Sequence, residues 1–263
     1  MKRPAGNMTF NQFKQIIDQI PTLKTVGLYF MGEPLLNPEV FSMIEYAEQK
    51  GIKTSIETNS TLLYKHVEEI FESGLSKLVC SLDGMTQKSL EQYRAGAHYN
   101  QTVGGIKNIC ISKHSKPHVK IRFLTFRHNE KEMEQAKKFA EQIRPDEFVF
   151  VRSILDWGFT KLPENRKQWL PTDKNLWRYL ENGSLKNPLS YCTWIWTPII
   201  TWDGNVIPCC YDYDAYSIMG NVFEQPFMEI YWSRGYRTIR KKMMQKSLSL
   251  CKFCKQVKQP EIN

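Results

Sequence analysis

Along residues 1–155 the apolar positions switch repeatedly between the period of a helix and the period of a strand. Phe10, Phe13, Ile16, Ile17 and Ile20 share one helical face, opened by Thr9 with Gln12 as a capping pair. "TVGLYF" (25–30) then reads as a strand. Asn37-Pro38 caps and starts a second helix bearing Phe41, Ile44 and Ala47, and Gly51 ends it. "KTSIET" (53–58) is the next strand, "HVEEIF" (66–71) a helix closed by Gly74, and "KLVCSL" (77–82) a third strand. A helical stretch in two pieces runs from Thr86 to about Ser112. "HVKIRFLTF" (118–126) is a fourth strand. Asn129, with Glu132 three residues on, caps a helix carrying Met133, Ala136, Phe139 and Ile143, and "EFVFVRSI" (147–154) is a fifth strand.

This alternation predicts an α/β fold with parallel strands, curved as a partial barrel or open and doubly wound. The strands are short and nearly continuously apolar, as expected where helices cover them. Working groups of such folds gather at the carboxyl ends of strands. Polar residues stand there in series: Glu33, then Thr58-Asn59-Ser60, then Ser81 and Asp83-Gly84, then Arg127-His128, then Arg152, Ser153 and Asp156. That series predicts the rim of an active site. From 156 to 188 the periodicity fades among prolines, which predicts a connector with a short helix near Asn175–Leu180. A second domain follows over 189–263. "TPIITWDGNVIPCC" is a hairpin turning at Asp203-Gly204, "FMEIYW" and "YRTIRKKMM" are helical, and "CKFC" follows.

Charge adds little to this picture. The net charge is +9, scattered in pairs such as Lys137-Lys138 and Lys241-Lys242, with no nucleic-acid-binding signature beside it. No apolar run reaches the roughly 18 residues of a membrane span, and "MKRPAGNMTF" is no secretory signal, so a cytoplasmic protein is expected.

Cysteine changes it more. Seven thiols without a secretion signal argue for metal ligands rather than disulfides. Cys80 and Cys110 lie in apolar runs and read as buried small hydrophobes. Cys192, Cys209, Cys210, Cys251 and Cys254 all fall in the last third. A single cysteine, a hairpin cysteine and a CxxC pair can close around zinc or an iron–sulfur cluster, and spacing alone does not separate the two. Cys210 follows Cys209 and, on a strand, would point away from it. Tyr211, Asp212, Asp214 and Asp156 could move protons, although surface or turn roles suit them better.

"CTWIWTPIITWDGNVIPCC", "GNVFEQPFMEIYW", "YRTIRKKM" and "CKFC" resemble a SPASM or twitch domain, the auxiliary-cluster module of many radical S-adenosylmethionine (SAM) enzymes. The resemblance selects Cys209 over Cys210 and iron–sulfur over zinc. It implies one auxiliary 4Fe-4S cluster on Cys192, Cys209, Cys251 and Cys254, since no further cysteine follows. Residues 1–155 resemble a radical SAM partial barrel that lacks its first strand: "MGEP" is similar to a GGEP strand end, "ETNS" to a TNG-like end and "SLDG" to an SLDG end. Gly32, Glu33 and Pro34 would then receive the amino group of SAM, largely through backbone oxygens. Asn59, Ser81, Asp83 and Arg122 would approach its ribose or carboxylate.

The resemblance implies an oxidoreductase or modifying enzyme acting through a 5′-deoxyadenosyl radical. Its partners would be a peptide or small-molecule substrate and a reductant such as flavodoxin or ferredoxin. That chemistry needs a CxxxCxxC loop, and the 263 residues contain none. The motif is expected upstream of Met1, so that these residues are a fragment inactive alone. The alternatives are a naturally short, non-catalytic SAM- or iron–sulfur-binding protein and a zinc-stabilised binding module.

Overall fold

The computed structural model describes residues 2–112, 115–152, 168–178, 180, 185–188, 191–248, 251 and 254. They fall into two compact units, one from 22–152 with 168–177, the other from 2–21 with 178 onward. Ser153 and Asp156, and most of the connector, lie outside the described residues.

The first unit is a parallel sheet in the order β1-β2-β3-β4-β5: Thr25–Gly27, Lys53–Thr58, Lys77–Ser81, His118–Thr125 and Glu147–Arg152. Helices α2 (Val40–Gln49), α3 (Val67–Glu72), α4 (Gln87–Tyr93), α5 (Tyr99–Ser112) and α6 (Met133–Ile143) lie in the crossovers, the arrangement that parallel neighbours require. Ile44, Ile56, Leu78, Ile106, Ile121 and Phe123 anchor its core. β2 and β4 bury alternate residues only. The expectation of continuously apolar strands holds for β3, which buries Leu78, Val79, Cys80 and Ser81 in a row, and is corrected for β2 and β4: there one face carries the core, and the other presents Ser55, Glu57, Lys120 and Arg122. Alternation of this kind belongs to a sheet covered on one face.

Glu48 in α2 ties the amino ends of β2 and β3 together. Its Oε1 accepts from the Thr54 amide at 2.8 Å, the Thr54 hydroxyl at 2.6 Å and the Ser76 hydroxyl at 2.5 Å, while Lys116 pairs with Oε2 at 3.2 Å. α2 begins at Val40, two residues after Pro38. Asn37 Oδ1 accepts from the Glu39 amide and turns the chain in without capping the helix itself.

The second unit contains α1 (Phe10–Asp18), the hairpin β6 (Ile199–Ile200) and β7 (Val206–Ile207), α7 (Phe227–Trp232) and α8 (Arg234–Met244). Thr9 and Gln12 form the expected capping box on α1. The sequence grouped residues 1–21 with the barrel, but they pack with the C-terminal residues. Ile16 enters a core with Val206, Val222, Phe227, Ile230 and Tyr236. Gln19 clamps that contact, donating to the Val222 carbonyl at 3.2 Å and accepting the Phe227 amide at 2.8 Å. Gly204, at φ 84°, makes the hairpin turn beside the Phe223 ring, where a Cβ would stand 2.4 Å from that ring. Among the described residues no helix is long and apolar enough to cross a membrane.

Candidate functional site

The strand ends of the first unit are held by their own polar side chains. Met31-Gly32-Glu33-Pro34 turns the chain after β1, and Gly32 takes φ 117°, a conformation glycine adopts without a Cβ penalty. Glu33 caps the short turn Pro34–Leu36 by accepting the Leu35 amide at 3.1 Å. The same carboxylate accepts from the Thr58 hydroxyl and the Asn59 amide, each at 2.7 Å. The side chain is thus consumed in closing the corner. Ser60 stands where the resemblance has glycine, buried and at φ 68°, the left-handed region.

At the end of β3, Asp83 is buried. Burial pushes its carboxyl pKa up, against the lowering effect of Arg94, whose Nε donates to Oδ2 at 2.7 Å. The other oxygen, Oδ1, is buried with no hydrogen-bond partner. Asn129 corrects another expectation. It makes no side-chain bond at a helix start; fully buried, it accepts the Phe126 amide at 2.7 Å and donates to the Asp83 and Leu124 carbonyls. Glu132, expected to complete that cap, accepts instead from the Met85 amide and the Ser89 hydroxyl, both at 2.7 Å. Both residues hold the loop after β3 in place.

Arg122 lies opposite Ser81 in the register of β3 and β4. Its Nη2 is paired with Glu57 of β2, and its Nε is buried without a partner. Burial, and then the charge of Glu57, push the Tyr29 hydroxyl up. Glu57 was missed in the sequence; the alternation of "KTSIET" is the signal that sets it on the face opposite Ile56. Arg127 and His128 reach a cleft of about 270 Å³ with Gln92, Gln168 and Trp169. Arg127 fixes its wall by donating from the backbone to Trp169 at 3.0 Å and from Nε to the Leu170 carbonyl at 2.9 Å. Arg152 is exposed at the end of β5.

In the second unit Cys192, Cys209, Cys251 and Cys254 share an apolar cluster with Ile195 and Met243. Burial, then Cys209 and Cys254, push the Cys192 thiol up. Burial, then Cys209, Cys254 and Cys192, push Cys251 up to about 12. Cys209 is raised by a bond to Cys210 and by burial. Thiols that raise one another in this way cannot all ionise without added positive charge, so metal binding here would release protons. The donor set fits an iron–sulfur group. Among the described residues no three Cys, His, Asp or Glu are grouped as a single metal ion requires.

Cys210 does not point away from Cys209. β7 ends at Ile207, strand alternation no longer applies, and Cys210 packs into the same cluster. Tyr211 donates its amide to Cys209 Sγ at 3.4 Å. Asp212 is buried in a turn, accepting the Tyr216 and Ser217 amides, and Asp214 accepts the amides of Lys2 and Arg3, so both serve the fold.

Comparison with known proteins agrees with this arrangement. The model of the SPASM iron–sulfur cluster-binding domain matches residues 192–255, and that of the radical SAM superfamily matches residues 1–140. The AdoMet-dependent heme synthase of Methanosarcina barkeri is 32% identical over 108 residues, covering 40% of this chain and 31% of that protein. This chain therefore aligns with less than a third of that relative. The tungsten-containing aldehyde ferredoxin oxidoreductase cofactor-modifying protein of Pyrococcus furiosus is 24% identical over 275 aligned positions, covering 89% of this chain and 75% of that one. SuiB of Streptococcus suis, solved bound to S-adenosylmethionine, superposes with a TM-score of 0.64 at 17% identity, over 97% of this chain and 67% of that one, a likeness of fold. With more than half its length matched by that superfamily's model, this chain belongs to the radical SAM superfamily.

Proposed function

We propose that this chain forms the SAM-binding corner and auxiliary-cluster module of a radical SAM oxidoreductase that modifies a peptide or small molecule. The observation that carries the reading is the closed corner at Glu33. With its carboxylate bound to Leu35, Thr58 and Asn59, the corner offers the Gly32 carbonyl, and the second lone pairs of the Glu33 and Pro34 carbonyls that already accept the Leu36 and Asn37 amides at 3.2 and 3.0 Å, as acceptors for the amino group of SAM. In the superfamily's chemistry, SAM held on an iron–sulfur cluster would supply a 5′-deoxyadenosyl radical. Arg122, steadied by Glu57, offers positive charge to the SAM carboxylate, with Asn59, Ser81 and Asp83 at the neighbouring strand ends. Cys192, Cys209, Cys251 and Cys254 hold an auxiliary 4Fe-4S cluster, and the Tyr211 amide donates to one of its sulfur ligands. None of the seven cysteines stands in CxxxCxxC spacing, so these 263 residues alone do not generate the radical.

Anaerobic reconstitution followed by SAM titration tests this. About four irons per chain without zinc are expected, with SAM binding lost in Gly32→Val, which cannot hold φ 117° without strain. No 5′-deoxyadenosine should form on reduction. Zinc in place of iron, or unchanged SAM affinity in that variant, overturns the assignment. Detectable 5′-deoxyadenosine refutes the statement about these residues alone.

A further inference from the structure

The cleft beyond β4 holds an aromatic wall and a cation that the proposed SAM corner does not use. Gln92, Arg127, His128, Gln168 and Trp169 line it, all within the first unit. Stacked rings fix the wall. His128 lies on the buried Phe126 at 5.4 Å between ring centres and meets Trp169 edge-on at 5.6 Å, while Tyr93 packs on Phe126 at 4.6 Å. Arg127 is pinned beside these rings by its amide bond to Trp169 and its Nε bond to Leu170. One Nε bond is enough to hold the loop, and it leaves both Nη groups without a partner among the described residues. No carboxylate among the described residues lines the cleft. The acids of the flanking elements are engaged elsewhere: Asp83 with Arg94 at 2.7 Å, Glu91 with Gln87 at 3.2 Å, Glu130 with Thr172 at 2.5 Å and Glu132 with Ser89 at 2.7 Å. Burial lowers the pKa of His128, so at neutral pH its ring adds no charge and Arg127 supplies the positive one. His128 Nε2 is buried with no hydrogen-bond partner.

We infer that this cleft is a substrate subsite for a carboxylate arm, with the Arg127 Nη pair taking the two oxygens side by side and the Trp169 ring covering the apolar part attached to them. Its assignment to the substrate rests on the SAM-binding reading of the other strand ends; the binding chemistry does not. A planar guanidinium with one free edge matches a planar carboxylate in a two-point fork. A lone cation balances the single charge of a carboxylate and leaves a phosphate under-compensated. The exposed carboxamides of Gln92 and Gln168 flank the fork and can bond polar groups next to the acid without repelling it. At about 270 Å³ the cleft is smaller than the roughly 300–1,000 Å³ that encloses a drug-sized ligand, so it seats one arm of a substrate and not the whole. An aspartate, a glutamate or a chain end of a peptide carries such an arm, and so does a small organic acid.

The test measures binding to the full chain by isothermal titration. Phenylacetate and its isosteric amide, phenylacetamide, form one probe pair; acetyl-Phe-Glu-amide and acetyl-Phe-Gln-amide form the peptide pair. The carboxylate of a pair is expected to bind about tenfold tighter than its amide. A preference confined to one pair supports the subsite and identifies peptide or small acid as the source of the arm. Arg127→Gln should remove the preference while the amides still bind, and Trp169→Ala should weaken acid and amide alike. Where Arg127→Gln binds no probe, Arg127→Lys decides: a preference restored in part supports the subsite, and no preference overturns it. Equal binding of acid and amide in both pairs by the parent overturns it as well. So does displacement of phenylacetate by saturating SAM, because the cleft would then serve SAM's own carboxylate. SAM that fails to bind the parent while the acid preference persists overturns the SAM corner instead and leaves the carboxylate site standing.

Discussion

Glu33 and Asn59 close the end of the β1–β2 pair: one carboxylate oxygen accepts the Asn59 amide at 2.7 Å, while the other serves Thr58 and Leu35. Hydrogen bonds to a carboxylate are about twice as strong as neutral ones. In Glu33→Gln one oxygen becomes an amide nitrogen, a donor that cannot serve amide or hydroxyl donors. A loss of about 2 kcal/mol in urea unfolding is expected, with SAM affinity falling at the same time. A variant of parent stability would show that the carboxylate does not hold the corner.

Arg240 makes a similar closure in the other unit. Only 3% exposed, it donates from Nε to the Ile195 carbonyl at 3.2 Å and from Nη1 to the Tyr231 carbonyl at 2.7 Å. The guanidinium lies 3.9 Å from the centre of the Tyr231 ring and 4.1 Å from that of Tyr236. Ile195 sits in the turn that begins after Cys192, so Arg240 fixes where that cysteine's loop sits. Arg240→Met should cost about 3 kcal/mol, since one buried and one partly buried carbonyl lose a charged donor. Iron retained after gel filtration should fall with it. Arg240→Lys keeps the charge without the fork and should lie between the two.

Much of this was legible in the sequence, and most of its failures have one cause. The βα alternation, the parallel order and the two-piece helix α4–α5 followed from periodicity, because each segment's apolar spacing matched its element. Polar residues could be placed at strand ends but not given partners. Asn129 and Glu132 carry the spacing of a capping box, yet both are drawn to the loop after β3, where Asp83 and Met85 lie. Local spacing cannot show a partner 46 or 47 residues away. The same limit hid Glu57 behind Arg122 and the docking of α1 on Val222 and Phe227. Cys210 failed differently: alternation was carried three residues past the end of β7.

Glu48 predicts an acid-sensitive component of stability. Burial pushes its pKa up, but bonds from Ser76, Thr54 and Lys116 outweigh that, and the net shift is downward. A folded pKa below the unfolded one means that the charged form is favoured by folding. The stabilisation is therefore present above the unfolded carboxylate range and fades as pH falls through the lower folded value. Glu48→Gln should melt below the parent at pH 7, with the difference narrowing toward pH 3. A gap independent of pH would point to packing instead of charge.

The choice between Cys209 and Cys210 is open to a direct comparison. Both pack in one apolar cluster and bond to each other, but the Tyr211 amide donates to Cys209 Sγ, which places a charge-stabilising donor on that sulfur alone among the two described. A thiolate that receives an N–H bond is the better cluster ligand, because the bond offsets part of its negative charge. Cys209→Ala should therefore abolish four-iron loading as completely as Cys254→Ala. Cys210→Ala should retain it, as should Cys80→Ala, whose sulfur lies in the core of the other unit. Iron and sulfide analysis with the visible absorption of the cluster reads all four. Full loading of Cys209→Ala with loss in Cys210→Ala would move the ligand one residue along the chain, and the Tyr211 amide would then serve only the turn.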